Sequence, residues 1–215
     1  MKYIKYTSFI LGLLLIGCYQ NESKTTSVVD DKEQIQNLIR QVLNWGESKN
    51  SIDLLPLLTN NKDSICIGFD LDKLKLNLDK LRKTNFFGEE FIENYNHIIL
   101  TLDKKIKSNE FGKWNTNELP AFGFANDINP WCVCQDVPYD KPNPWNLVLI
   151  KVITLDNEKG ELTWTWGSDN TTSFANSEWS KDFGYKFRVI KENEKWKISY
   201  LQGFDYEEGT RKVGL

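Results

Sequence analysis

One histidine, one methionine and four cysteines in 215 residues leave most metal and nucleophile chemistry without its usual groups. With no second Cys or His pair a tetrahedral zinc site cannot be completed, and neither metal nor cofactor is expected. The chain also lacks a Gly-rich phosphate loop, a nucleophile elbow and a zinc-binding helix motif. It has no excess of basic charge: 27 Lys and Arg stand against 30 Asp and Glu, a net of −3, which excludes the basic face that nucleic acid requires. No apolar run reaches the roughly 18 to 20 residues that span a bilayer core.

The first residues carry an address. Lys2 and Lys5 form a short basic start, Phe9 to Ile16 is apolar, and Gly17-Cys18 follows, which is a three-part signal peptide. Leu15-Ile16-Gly17-Cys18 resembles the lipobox of bacterial lipoproteins. The resemblance implies cleavage before Cys18, lipid on that cysteine, and a place in the cell envelope, on the periplasmic or outer-membrane face. Acyl chains hold stably because each buried methylene adds about 0.8 kcal/mol. Residues 1–17 thus read as signal peptide, 18–30 as a polar lipidated tether, and 31–215 as one domain.

Three cysteines remain after lipidation, so an oxidising compartment permits at most one internal disulfide. Cys132 and Cys134 are too close along an extended chain to bridge easily. The expected bond therefore joins Cys66 to Cys132 or Cys134.

The periodicity changes midway along the chain. Ile35, Leu38, Ile39, Val42 and Trp45 fall at helical spacing over residues 31–45, with Asp30 and Glu33 resembling a capping box. Residues 64–69 form a short apolar, β-prone piece. Asp70 can cap a second helix carrying Leu71, Leu74, Leu78 and Leu81 on one face. Phe91, Tyr95, Ile98, Leu102 and Ile106 define a third helix, acidic at its start and basic at its end. After residue 145 the period falls to two: Leu162, Trp164 and Trp166 alternate with polar residues, as do Tyr185, Phe187 and Val189, and Glu192 to Lys195 turns toward Trp196, Ile198 and Tyr200. Residues 145–155, apolar on both faces, read as a central strand. The predicted architecture is α+β: N-terminal helices, then a curved, mainly antiparallel sheet.

This order, with the final hairpin YKFRVIKENEKWKISYLQGFD, resembles the nuclear transport factor 2-like (cystatin-like cone) superfamily over roughly residues 31–206. The resemblance implies a sheet wrapped around a helix to make a conical pocket, used by some members as an active site and by many only for binding or dimerisation. Its enzymes generally set an Asp/His or Asp/Tyr group inside the cone.

Candidate groups for such chemistry are sparse. His97 lies one position off the apolar stripe of the third helix and four after Glu93, a spacing that favours a surface pair. Asp127, Asp136 and Asp140 are carboxylates that burial could tune into a base, but each sits in a loop where a turn role is common. The segment 122–145 holds four of the six prolines, two cysteines and two tryptophans, and reads either as a structural plug on the open side of the sheet or as a ligand or partner surface. Trp131, Tyr139, Trp145, Trp164 and Trp166 are the candidate binding residues. The expected function is a membrane-tethered, non-enzymatic lipoprotein that binds a protein or a small ligand, in its sharpest form as a toxin-immunity protein. The alternative is a cone-pocket isomerase or dehydratase with a carboxylate base.

Overall fold

The computed structural model describes residues 22–60, 62–135, 143–167 and 184–213. The stretch read as a signal peptide, Cys18, Asp136, Tyr139 and Asp140 lie outside them. The chain is α+β, with helices preceding an antiparallel four-stranded sheet.

Helix α1 spans Glu22–Gly46 and buries Ile35, Leu38, Ile39, Val42 and Leu43 along one stripe. It begins inside the stretch read as a tether. A helix already nucleated by a packed stripe extends at little cost into residues of ordinary propensity, and the capping box is lost as a result. Asp30 instead accepts from the Gln34 side-chain amide one turn on, at 2.9 Å.

A small antiparallel sheet follows, β1 (Leu57–Thr59) with β2 (Cys66–Phe69). Helix α2 (Leu71–Thr84) starts where expected: the Asp70 side chain accepts from the Asp72 and Lys73 amides, and Leu74 and Leu81 are buried while Leu71 is exposed. Helix α3 (Glu89–Lys107) buries Phe91, Ile92, Tyr95, Ile98, Ile99 and Leu102, with Glu89 and Glu90 in its first turn and three lysines in its last.

The main sheet has the order β3 (Val148–Leu155), β4 (Lys159–Trp166), β5 (Tyr185–Glu192), β6 (Lys195–Leu201), every neighbour antiparallel. A 3-10 turn at Pro144–Leu147 leads into β3, and a second at Gln202–Phe204 leads into the short helix α4 (Tyr206–Thr210). Helices α1 and α3 pack on one face of this sheet.

The strand expected to be central is an edge strand. Val148 and Ile150 face inward, while Leu149, Lys151 and Ile153 face outward and are exposed. Side chains of α1 cap the start of this edge: Arg40 Nε and Nη2 donate to the Val148 carbonyl at 2.9 and 2.8 Å, and the Ile150 amide donates to Gln36 Oε1 at 3.3 Å. The other edge is covered by the chain before α3, where the Gly88 amide donates to the Ile198 carbonyl and the Ile198 amide to Phe86. Both devices occupy the backbone groups that would otherwise template another strand.

Candidate functional site

The loop expected to carry a binding anchor is folded into the core. Phe122 and Phe124 are buried, the Asn126 amide donates to the Pro120 and Phe122 carbonyls, and Asn129 Oδ1 accepts from the Trp131 amide. Asn129 also bonds Glu47 at the end of α1. Trp131 is 2% exposed. Its indole meets Phe204 at 4.7 Å, Trp45 at 5.4 Å, Phe87 at 5.7 Å and Phe91 at 6.2 Å between ring centroids. Two glycines make room. A Cβ on Gly46 would lie 2.5 Å from the Trp131 ring, and one on Gly203 would lie 2.0 Å from the Pro130 carbonyl oxygen. Trp131 is therefore a core residue rather than a surface anchor.

The disulfide also differs from expectation. Cys132 bonds Cys134, while Cys66 is a buried free thiol. Pairing across two positions works because the chain is not extended there: Val133 has φ 52°, and the two Cα atoms come within 5.1 Å. Cys66 sits on β2 beside the Trp114 carbonyl, and burial pushes its thiol up.

Trp145, Trp164 and Trp166 are brought together in a second aromatic group. Trp145 stacks on Trp166 at 5.3 Å and Trp164 on its cross-strand neighbour Tyr185 at 4.2 Å. Trp145 and Trp164 are buried and Trp166 is half-buried, so this group builds the inner face of the sheet near its β3 end. Trp131 does not join it, and Tyr139 lies outside the described residues.

Of the candidate bases, His97 is exposed and stacks on Tyr206 at 4.5 Å rather than pairing with Glu93. Asp127 is exposed in a left-handed turn and accepts from the Gln135 side-chain amide at 2.9 Å. The interior beneath α3 is lined by Phe87, Phe91, Tyr95, Phe124, Trp131 and Phe204. The Tyr95 hydroxyl there is placed to donate to the Asp53 and Leu54 carbonyls and to accept from Asn77 Nδ2, and burial drives this phenol far above its ordinary range. Buried carboxylates serve structure: Asp31 accepts from Trp196 Nε1 at 2.7 Å and Lys191 Nζ at 3.0 Å, and Asp103 from the Phe69 amide and Lys107. Among the described residues no group of three or more His, Cys, Asp or Glu is placed to hold a metal ion.

The surface that remains is the outer face of the main sheet. Leu149 and Ile153 are 47% and 51% exposed and flank Lys151 on β3. Beside them run Thr163 and Glu161 on β4, Lys186 and Arg188 on β5, and Tyr200 on β6, aligned by the register Lys151–Thr163–Lys186 and Glu161–Arg188–Tyr200. The Arg188 guanidinium lies 4.5 Å over the Tyr200 ring, and the Tyr200 hydroxyl donates to Asp205 Oδ2 at 3.1 Å. Burial first, then Asp205, pushes the Tyr200 phenol up to about 12. Period-two alternation foretold the outward Glu161, Thr163, Lys186 and Arg188, whereas Leu149, Lys151 and Ile153 lie on a strand read as central and Tyr200, grouped with Trp196 and Ile198, is turned outward by the register shift between β5 and β6.

No family model, curated protein or solved structure matches this chain.

Proposed function

We propose that this protein is a lipid-anchored binding protein of a bacterial cell envelope, held on a membrane through Cys18, with a domain of the nuclear transport factor 2-like cone type that engages a protein partner through the open face of its sheet. In its sharpest form the partner is a toxin that this protein neutralises. The observation that carries the reading is the outer face of β3, where two exposed aliphatic side chains bracket a lysine. A rim of charge around an apolar centre is the composition of a partner surface. The helices-then-sheet order and the terminal β5–β6 hairpin support the cone. The packed rings beneath α3 occupy the volume in which a cone-pocket isomerase would keep its carboxylate, which favours binding over catalysis. Among the described residues no helix is long and apolar enough to cross a membrane, so lipid on Cys18 would be the anchor.

Two measurements test the two parts of this reading. Cys18→Ser should move the protein out of the membrane fraction and abolish palmitate labelling. Persistence through carbonate washing with label retained would overturn the anchoring. Independently, a Leu149→Asp, Ile153→Asp double variant should lose the partner recovered by crosslinking in envelopes while melting like the parent. Unchanged recovery would overturn the surface.

A further inference from the structure

A cleft of about 280 Å³ opens on the outer sheet face, away from Leu149 and Ile153, where β5 and β6 fall out of step. Arg188 stands opposite Tyr200 and Val189 opposite Ile198, so Ser199 has no partner in the ladder. Such bulges re-aim a side chain. Ser199 is 6% exposed and lines the cleft, and its hydroxyl makes no hydrogen bond with the described residues. The residue is buried but its hydroxyl is not among the sealed, unbonded polar atoms of the described residues, so it opens into the cleft with a donor and acceptor left for a ligand.

Four charged side chains line the same cleft: Glu90 from the first turn of α3, Lys159 and Glu161 from β4, and Arg188 from β5. Asp156 is a fifth: its carboxylate accepts from the Glu158 and Lys159 amides of its own turn and stays charged, with the Lys159 ammonium acting on it. None of the four forms an ion pair among the described residues, although Glu161 and Arg188 are direct cross-strand neighbours, a position where opposite charges ordinarily meet. Arg188 instead lies over the Tyr200 ring, the Tyr200 hydroxyl donates to Asp205, and Asp205 accepts from the Glu208 amide. The guanidinium is thereby oriented with its donors unspent on any carboxylate. Two cations and three anions thus line a small gap with the Ser199 hydroxyl at its edge.

We propose that this cleft is a binding site for a small zwitterion, an α-amino acid with a short side chain. Its carboxylate bonds the Arg188 fork and Lys159, its ammonium sits against Glu90 and Glu161, and the Ser199 hydroxyl completes the carboxylate's hydrogen bonds. Charge-assisted and bidentate bonds of this kind are the strong ones. The volume lies at the lower edge of the roughly 300 to 1,000 Å³ usual for ligand pockets, which suits a ligand of this size.

The test titrates the full chain in detergent with glycine and L-alanine, followed by calorimetry and ligand-observed NMR. Saturable binding is expected, with alaninamide and N-acetylalanine each about tenfold weaker or more, because each removes one of the two charges. Arg188→Gln, on an exposed position, should cost at least as much while melting like the parent, and Ser199→Ala should weaken binding several-fold. No saturation up to about 10 mM, equal binding of either blocked analogue, or unchanged affinity in Arg188→Gln would each overturn the site.

Discussion

Toward α1 and α3 the main sheet presents Val148, Ile150, Leu162, Trp164, Phe187 and Ile198, all buried; on its other side the same strands present Leu149, Lys151, Thr163, Lys186 and Arg188, exposed or half-buried. The backbone is shared and only the pleat separates the two sets. The inner set, continuous with the rings under α3, is where burial stabilises the chain, and the outer set leaves side chains free to meet other molecules. Substitutions of similar size on the two sides should therefore give different kinds of loss, and their ranking measures how complete the division is.

The largest effect belongs to Trp131→Ala, on the inner side. Removing a fully buried ring from contact with four others should lower stability by about 3 to 5 kcal/mol. Denaturant unfolding followed by tryptophan fluorescence measures it, and a loss below about 1 kcal/mol would return the loop to the surface. Next comes the Cys132→Ser, Cys134→Ser pair. The bond closes a ring of only two positions' separation, and chain-entropy reasoning gives about 1 to 2 kcal/mol for so short a loop. Mass mapping of the oxidised parent should find Cys66 alkylated only after denaturation.

On the outer side the Leu149→Asp, Ile153→Asp variant should change stability by no more than about 0.5 kcal/mol, as is usual for surface positions. A large loss there would mean that the outer face is covered after all. The smallest effect is a titration. The Tyr200 phenol is raised to about 12 from its ordinary value near 10, so its contribution to stability is full below pH 10 and fades as pH climbs toward 12. Ultraviolet titration should show, besides Tyr95 and Tyr185, which burial also raises, a late-ionising tyrosine that disappears in Tyr200→Phe and moves to lower pH in Asp205→Asn.

Much of this architecture was legible before any coordinates. The Asp70 cap, the α3 stripe and the alternation in β4 and β5 each rest on local periodicity, and local periodicity is written in neighbouring residues. Two features escaped because they depend on residues far apart, and a third because it turns on one local backbone conformation. The edge position of β3 is set by Arg40 and Gln36, more than a hundred positions away, which occupy its outer hydrogen-bonding groups. Trp131 lies in a proline-rich, polar stretch that reads as surface, and only the rings of α1, α3 and the turn before α4 draw it inward. The Cys132–Cys134 bond required a left-handed Val133, a conformation that sequence does not advertise for a β-branched residue. The outer-face cleft was invisible for the same reason: Ser199 is set apart by a bulge, and a bulge shows only in register.

Gly46, which ends α1 directly beneath the Trp131 indole, also orders events in time. The two are 85 positions apart, and closing so long a stretch carries an entropic cost that must be met before any contact repays it. The indole has no seat until the helix end, Phe91 and Phe204 are all in place, so its arrival belongs to the late part of folding, after the barrier has been crossed. A variant lacking that ring should then fold at nearly the parent's rate and come apart faster. Any side chain at position 46, by filling the seat first, should leave the latch open and the rest of the molecule assembled.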